Sequence, residues 1–279
     1  MSEELNCCVQ FCETPLDQSY WDSQWKTKQT AWDLKGVSPA ISNFLNTYSD
    51  KSASVLIPGC GSAHEAELML SLGFSNITLI DISPSLTHDL SIKFKENKEI
   101  KIICDDFFKH YGKYDLIIEQ TFFCALPPSK RLHYSFKMHQ LLNDSGILVG
   151  LWFNRSFPQG PPFGGEKSEY EALFKQLFCF LSELEVTEYS AEPRKGTELW
   201  LEMAPLQNLK LKMFSLNGIT CNGCKNTVIE KLKEQLPSIS AQINTDFSQM
   251  LVSSDLDFSK VEIQKVLSYD SKYIISEHE

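Results

Sequence analysis

The stretch that constrains this chain most is residues 54–83, SVLIPGCGSAHEAELMLSLGFSNITLIDIS. A short apolar run, residues 55–57, enters a tight Gly59-Cys60-Gly61 turn. A helical segment follows, and Gly73 stands where a helix C-terminal cap belongs. A second apolar run, residues 77–80, ends on Asp81. Strand, glycine turn, helix, strand and acid make half of a doubly wound α/β nucleotide fold. An acid 20 residues past Gly61 is placed to accept hydrogen bonds from ribose hydroxyls. A dinucleotide fingerprint continues as G-x-G-x-x-G, and here its third glycine position is His64. A phosphate-loop lysine is absent as well. The turn therefore suits a ligand with adenosine and ribose but no pyrophosphate, and S-adenosylmethionine fits that description. On this stretch alone, a dehydrogenase-like or non-binding nucleotide fold stays open.

The alternation continues downstream. Ser83-Pro84 opens a helix, and strands are predicted at Ile100–Cys104, Tyr114–Gln120 and 147–153, with a helix over 130–142. Asp106 and Phe107 follow the third strand, where an acid can accept from an adenine amino group and a ring can pack on the base. A solvated acid beside a core phenylalanine is the plainer alternative. Glu119, Gln120 and Thr121 end the fourth strand over the same crevice. A Gly/Pro-rich loop runs through Pro161-Pro162-Phe163, then Ser168 is expected to cap a helix carrying Tyr170, Leu173, Phe174 and Leu177. Strands near 185–189 and 198–203 close the unit. Ahead of the first strand, Trp21, Trp25 and Trp32 fall within twelve residues. Indole faces attract a sulfonium and indole N–H groups donate to a carboxylate, so this segment reads as a lid over the cofactor, or as an amphipathic helix that only buries its indoles.

With 279 residues, 42% apolar and 22% charged, the chain is long enough for one large folded unit and one small one. A net charge of −10 without basic runs argues against non-specific binding to nucleic acid or an anionic membrane. The start, MSEELNCC, lacks the basic and apolar regions of a signal peptide, and no apolar run reaches the ~18 residues of a membrane span. Nine cysteines in that setting are expected to be reduced thiols of a cytoplasmic protein. Cys7, Cys8 and Cys12 cluster without a fourth ligand and read as part of a plain mobile tail.

The pattern changes after residues 206–209, a short linker. Strand (210–216), a loop with Cys221 and Cys224, helix (225–235), strands (240–247 and 250–255), helix (259–267) and strand (273–276) give a βαββαβ order, the ferredoxin-like motif. The expected domains are 1–205 and 206–279.

Two resemblances emerge from these residues. W-D-S-Q-W…T-A-W-D, L-I-P-G-C-G-S-A-H-E, L-I-D-I-S, D-D-F-F, Y-D-L-I-I-E-Q-T-F-F-C-A-L-P-P-S-K-R, G-P-P-F and P-R-K-G-T-E occur in order over roughly residues 20–203. Together they resemble the thiopurine S-methyltransferase superfamily, within it the thiol, halide and thiocyanate methyltransferases. The resemblance implies a Rossmann-like class I methyltransferase sheet and S-adenosylmethionine as cofactor. It places Trp21, Trp25 and Trp32 around the methionine moiety, Gly59 and Gly61 in the cofactor turn, Asp81 on the ribose, Asp106 and Phe107 at adenine, and Gln120 toward the methionine end. Halide and thiocyanate enzymes of that branch often carry tyrosine where this chain has Gln120, a departure that bears on acceptor choice. The last segment is similar to heavy-metal-associated copper chaperones. Their G-M-T-C-x-x-C stands here as Gly218-Ile219-Thr220-Cys221-Asn222-Gly223-Cys224. It implies that Cys221 and Cys224 hold a soft metal ion, Cu(I), because soft ligands select soft ions. A redox C-x-x-C is the alternative.

Methyl transfer from a sulfonium is an in-line displacement, so the protein mainly aligns the reactants and excludes water. The acceptor expected is a small soft nucleophile, such as a thiol, thiocyanate, halide or thiopurine-like molecule. Phe122 and Phe123, with the Pro161–Phe163 loop, would form its pocket, and Glu119 is a candidate proton acceptor or orienting group. A metal-donor or metal-acceptor protein is a conceivable partner of the cysteine module. The competing readings are a metal-binding regulatory protein with a weakly active methyltransferase unit, and a tellurite or selenite methyltransferase.

Overall fold

A computed structural model describes residues 15–278, so the tail cysteines Cys7, Cys8 and Cys12 lie outside the described residues. Helices α1 (Gln18–Lys26) and α2 (Pro39–Thr47) precede the first strand. Strands β1 (Val55–Pro58), β2 (Ile77–Asp81) and β3 (Ile100–Cys104) alternate with helices α3 (His64–Ser71) and α4 (Pro84–Lys93). Then come β4 (Tyr114–Gln120), α5 (Arg131–Leu141), β5 (Leu142–Phe153), α6 (Lys167–Phe174), β6 (Phe178–Phe180), β7 (Glu185–Val186) and β8 (Glu198–Pro205).

β1 and β2 are buried along their whole length, because helices cover both faces of the sheet. Successive side chains point to opposite faces. Leu56, Ile117 and Leu148 therefore pack with Tyr134 and Met138 of α5 and Tyr170 and Phe174 of α6. Val55, Ile57, Leu116 and Ile118 face Ile41 and Leu45 of α2, Met69 of α3 and Leu90 of α4. The path through the sheet is β3-β2-β1-β4-β5-β8-β6, with β7 also on β8. Pairings among the first five strands are parallel, while β8 runs antiparallel to β5. The order reverses between β1 and β4, which opens a crevice at the carboxyl ends of these strands.

A second sheet follows, built from β9 (Lys210–Asn217), β10 (Ser240–Ile243), β11 (Gln249–Ser254) and β12 (Ile274–Glu277), with helices α7 (Asn222–Gln235) and α8 (Lys260–Leu267). Its order is β10-β11-β9-β12, antiparallel throughout. Phe214, Leu216, Met250 and Val252 meet Val228 and Leu232 of α7 and Ile263 and Leu267 of α8 on one face. On the other, Met213 and Leu251 join the core around α5 and α6. Gln242 Nε2 donates to the Ala172 carbonyl at 3.0 Å and Asn244 Nδ2 to that of Ser129 at 3.1 Å.

Several boundaries differ from those expected. α6 is capped at Glu166, not Ser168, and the helix before β5 ends at Leu141. β10 stops at Ile243, because the chain turns back through Asn244 and Phe247, the latter at φ +63°. α2 and β6 are additions. Residues 206–209 do connect the two sheets, yet Leu206 stays tied to the first, its N–H donating to Leu177 and its carbonyl bonded to His139. Among the described residues no helix is long and apolar enough to cross a membrane.

Candidate active site

The crevice floor is the turn after β1. Gly59 and Gly61 sit at φ +56° and +50°, the left-handed region that side chains adopt at a cost. A Cβ on Gly59 would lie 2.4 Å from the Phe122 ring, and one on Gly61 would face Trp25 at 3.6 Å. The turn is thus roofed by the two segments expected over it.

Asp81 ends β2 beside this turn. Its Oδ1 accepts from the Ser83 N–H at 3.0 Å and its Oδ2 from the Gly61 N–H at 3.4 Å. Burial pushes its carboxyl up to about 6, against the effect of these two bonds. An acid so desolvated has capacity for further donors. Asp106 caps a 3-10 turn, its Oδ1 taking the Phe108 N–H at 2.9 Å. Phe107, 5% exposed, is enclosed by Phe108, Phe122 and Tyr134, with centroids at 5.4, 5.0 and 6.0 Å. Its ring is buried among these aromatics at the carboxyl end of β3.

The three tryptophans do come together. Trp32 stands edge-on to Trp21 at 5.6 Å and to Trp25 at 5.9 Å, an arrangement aromatic quadrupoles favour. Two aspartates of the same segment, which the sequence reading passed over, fix its place. Asp22 Oδ1 accepts from Ser83 Oγ (2.8 Å), Ser85 N (2.8 Å) and Ser85 Oγ (2.6 Å). Asp33 accepts from Ser62 Oγ at 2.7 Å and pairs with His64 Nε2 at 2.9 Å.

Beyond β4 the chain turns sharply. Thr121 takes φ +62°, and Glu119, 0% exposed, closes the turn. Its Oε1 accepts from the N–H groups of Phe122 (2.9 Å) and Phe123 (3.0 Å), its Oε2 from the Tyr134 hydroxyl (2.8 Å). Burial raises this carboxyl to about 7, although all three donors favour its charged form. Both oxygens are engaged by the protein, which is the geometry of an orienting group and leaves little for a proton acceptor. Gln120 behaves oppositely: Oε1 and Nε2 are both buried without a partner among the described residues. A buried amide with neither end bonded costs about 1–3 kcal/mol per group, so it fits a position that a polar ligand completes.

Phe122 is half-buried and Phe123 buried. The Phe163 N–H donates to the Cys124 carbonyl at 2.6 Å, which brings the Pro-rich loop onto this segment. Two buried arginines flank it, and sequence reasoning missed both. Arg131, 5% exposed, stacks on Phe123 at 4.8 Å, donates to Gly164 O at 2.7 Å and pairs with Glu169, while its Nε has no partner among the described residues. Arg194, 7% exposed, pairs with Glu198 at 3.2 Å and donates to Trp32 O at 2.7 Å. Both charges bear on the Cys124 thiol, yet burial dominates there and lifts it to about 12. Their only sequence signal was membership of the S-K-R and P-R-K-G-T-E strings.

In the second unit Cys221 is the N-cap of α7, and its sulfur lies 3.1 Å from that of Cys224. The Cys221 sulfur also accepts from the Cys224 N–H at 3.3 Å. The bond from Cys221, followed by one from Tyr273, holds the Cys224 thiol below its usual range. Among the described residues no group of three or more His, Cys, Asp or Glu is placed to hold a metal.

A parallel sheet reversing at β1/β4, a glycine turn after β1 and an acid ending β2 define a Rossmann-like nucleotide-binding fold. The sequence profile of the thiopurine S-methyltransferase family matches residues 16–202, and the chain belongs to that family. It is similar to a probable thiol methyltransferase 2 of Arabidopsis thaliana, 32% identical over 186 residues, covering 64% of this chain and 81% of that one. A thiocyanate methyltransferase 1 of Brassica oleracea is 27% identical over 196 residues, covering 68% and 86%. Likeness of fold extends to the 1,6-didemethyltoxoflavin-N1-methyltransferase of Burkholderia thailandensis, solved with S-adenosylhomocysteine. Its TM-score is 0.55 at 16% identity, covering 68% of this chain and 87% of that one. The chain is an S-adenosylmethionine-dependent S-methyltransferase acting on a small-molecule acceptor.

Proposed function

We propose that the enzyme methylates a small, soft, anionic nucleophile: a thiolate, thiocyanate, a halide or a thiopurine-like anion. The observation that carries this reading is the pair of buried guanidiniums near this turn, Arg131 stacked on Phe123 and Arg194 over Phe153. Each guanidinium already has a carboxylate partner, Glu169 or Glu198, so they act as fixed hydrogen-bond donors at the wall more than as net charge. The apolar wall excludes water, and an anionic acceptor needs no protein base. When bound, the sulfonium cofactor supplies an already activated methyl group. Asp81 accepts from its ribose, Asp106 offers its second oxygen to adenine, and Gly59 and Gly61 let the backbone approach. The indoles of Trp21, Trp25 and Trp32 enclose the methionine end, where the unbonded amide of Gln120 completes its hydrogen bonds. Phe107 supports the wall from behind. Glu119 positions the Phe122–Phe123 turn instead of moving a proton. The printed names of the relatives, a thiol and a thiocyanate methyltransferase, support this acceptor class. Release of S-adenosylhomocysteine across a panel of thiols, hydrosulfide, thiocyanate, iodide and selenite tests it. Turnover confined to neutral acceptors would overturn the anionic reading.

The second sheet supports an additional role. Its β9-α7-β10-β11-α8-β12 order and antiparallel pairing support a ferredoxin-like reading, and we propose dividing the chain into a catalytic domain, 1–205, and a heavy-metal-associated domain, 206–279. The pair of sulfurs 3.1 Å apart at the start of α7 would suit a two-coordinate soft ion such as Cu(I), since soft ligands select soft ions. A metal-donor or metal-acceptor protein is the partner such a loop would serve. Titration with Cu(I) against a chromogenic chelator tests the site: one equivalent retained by the native chain and lost in Cys221→Ser/Cys224→Ser.

A further inference from the structure

We propose that Asp22 and Asp33 are positioning residues that latch the tryptophan segment shut over the cofactor crevice. The assignment rests on the cofactor site described under the proposed function. It starts from an oddity of α1: the only buried residue on this nine-residue helix is an aspartate, Asp22. A helix this short is marginal by itself, and most surface helices are held by an apolar stripe. α1 packs Trp25 against the core and is tied down further by hydrogen bonds through Asp22.

The bonds are aimed at two places. Asp22 Oδ1 takes Ser83 Oγ at 2.8 Å, Ser85 N at 2.8 Å and Ser85 Oγ at 2.6 Å, while Lys26 pairs with its Oδ2 at 2.5 Å. Ser83 is also the residue whose N–H donates to Asp81. Gln18 adds a bond to the Ile82 carbonyl at 3.1 Å. The first latch therefore grips the loop that carries the ribose acid. Asp33 takes Ser62 Oγ at 2.7 Å and His64 Nε2 at 2.9 Å, and Lys35 at 3.0 Å completes its charge balance. Ser62 follows Gly61 directly, so the second latch grips the glycine turn. Trp25 and Trp32 lie between the two latches, with Trp25 against Gly61.

His64 gains a role here. It occupies the position where a dinucleotide fold has its third glycine, and its ring bonds to the lid. Charge-assisted hydrogen bonds are strong where half-buried, yet they exchange with water when broken. That combination suits a cover that must open for cofactor entry and product exit.

The test uses the full chain. Asp33→Asn keeps the side-chain shape but turns a donor toward Ser62 or Lys35. Its affinity for S-adenosylhomocysteine, by calorimetry, should fall about tenfold or more. KM for S-adenosylmethionine should rise, with kcat at saturating cofactor falling far less. In the free protein, amide exchange over residues 18–35 should speed up while β1 and β4 stay protected. Ser62→Ala and His64→Gln, which leave the carboxylate intact, should act in the same direction more weakly, and Ser62→Ala should add little to Asp33→Asn. Asp22→Asn should reproduce the pattern from the other end. Unchanged affinity and unchanged exchange over 18–35 in Asp33→Asn and Ser62→Ala would overturn the latch. Asp81→Asn separates the two readings. Lost affinity there with wild-type binding in Asp33→Asn sinks the latch alone, whereas wild-type binding in Asp81→Asn sinks the cofactor assignment beneath it.

Discussion

Asp81 and Glu119 end strands on either side of β1, and burial lifts both carboxyls. Their partners separate their roles. Asp81 carries two backbone donors and can take the two ribose hydroxyls only when ionised. Its free-state value of about 6 lies above the ordinary 3.8, so binding favours loss of a proton. Affinity for S-adenosylhomocysteine should therefore rise as pH increases through about 6 and level off above it, with Asp81→Asn weak and flat over the same range in calorimetry. For Glu119, whose three donors come from the protein itself, Glu119→Gln turns an amide N–H toward one of them. The expected loss is about 1–3 kcal/mol of stability in thermal unfolding. The pH profile of turnover should keep its shape, since the group moves no proton. A profile that loses a limb with unchanged unfolding would return Glu119 to a base role.

The turn after β4 shows what an element can carry at a functional end. Thr121 is β-branched and sits at φ +62°, held there by the Glu119 carboxylate and by its own hydroxyl, which donates to the Gln120 carbonyl at 2.6 Å. Thr121→Gly should relieve about 1–2 kcal/mol of local strain, visible as a higher Tm, yet loosen Phe122 and lower turnover. Strands β1 to β4 were legible from the sequence because apolar runs between turn signals have few other uses in a doubly wound sheet. The glycine turn and Asp81 were legible for the same local reason. α2 was overlooked although Ser38-Pro39 announces a helix start, and three-residue β6 is too short to leave a period. The latches were hidden for a different reason. Asp22 meets partners 61 and 63 residues away, and Asp33 meets side chains 29 and 31 away, so only the closed fold brings them together.

At the scale of the molecule, the second sheet acts as a cover for α5. Met213 (6% exposed) and Leu251 (1%) are buried among residues of the first unit, and His133 of α5 lies edge-on to His278 at 4.8 Å. Ending the chain after residue 205 should uncover this face of α5, lower Tm and increase binding of a hydrophobic dye. Leu251→Asp in the full chain should lose about 3 kcal/mol or more, since it buries a charge without a partner. Cys221 is exposed and serine can replace it as the cap of α7, while Cys224 is half-buried against the second core, so Cys221→Ser/Cys224→Ser should lower metal-free Tm only slightly.

That shared core also links the two ends thermodynamically. If the sheets melt together, any ligand that binds only the folded chain stabilises both by RT ln(1 + [L]/Kd), wherever it sits. A soft metal ion at the cysteine loop would then protect the methyltransferase crevice from proteases and heat without touching it, and the sulfonium cofactor would return the protection to the loop. Such a chain needs no moving part between its ends: supply of either ligand sets how much of the whole survives in the cell.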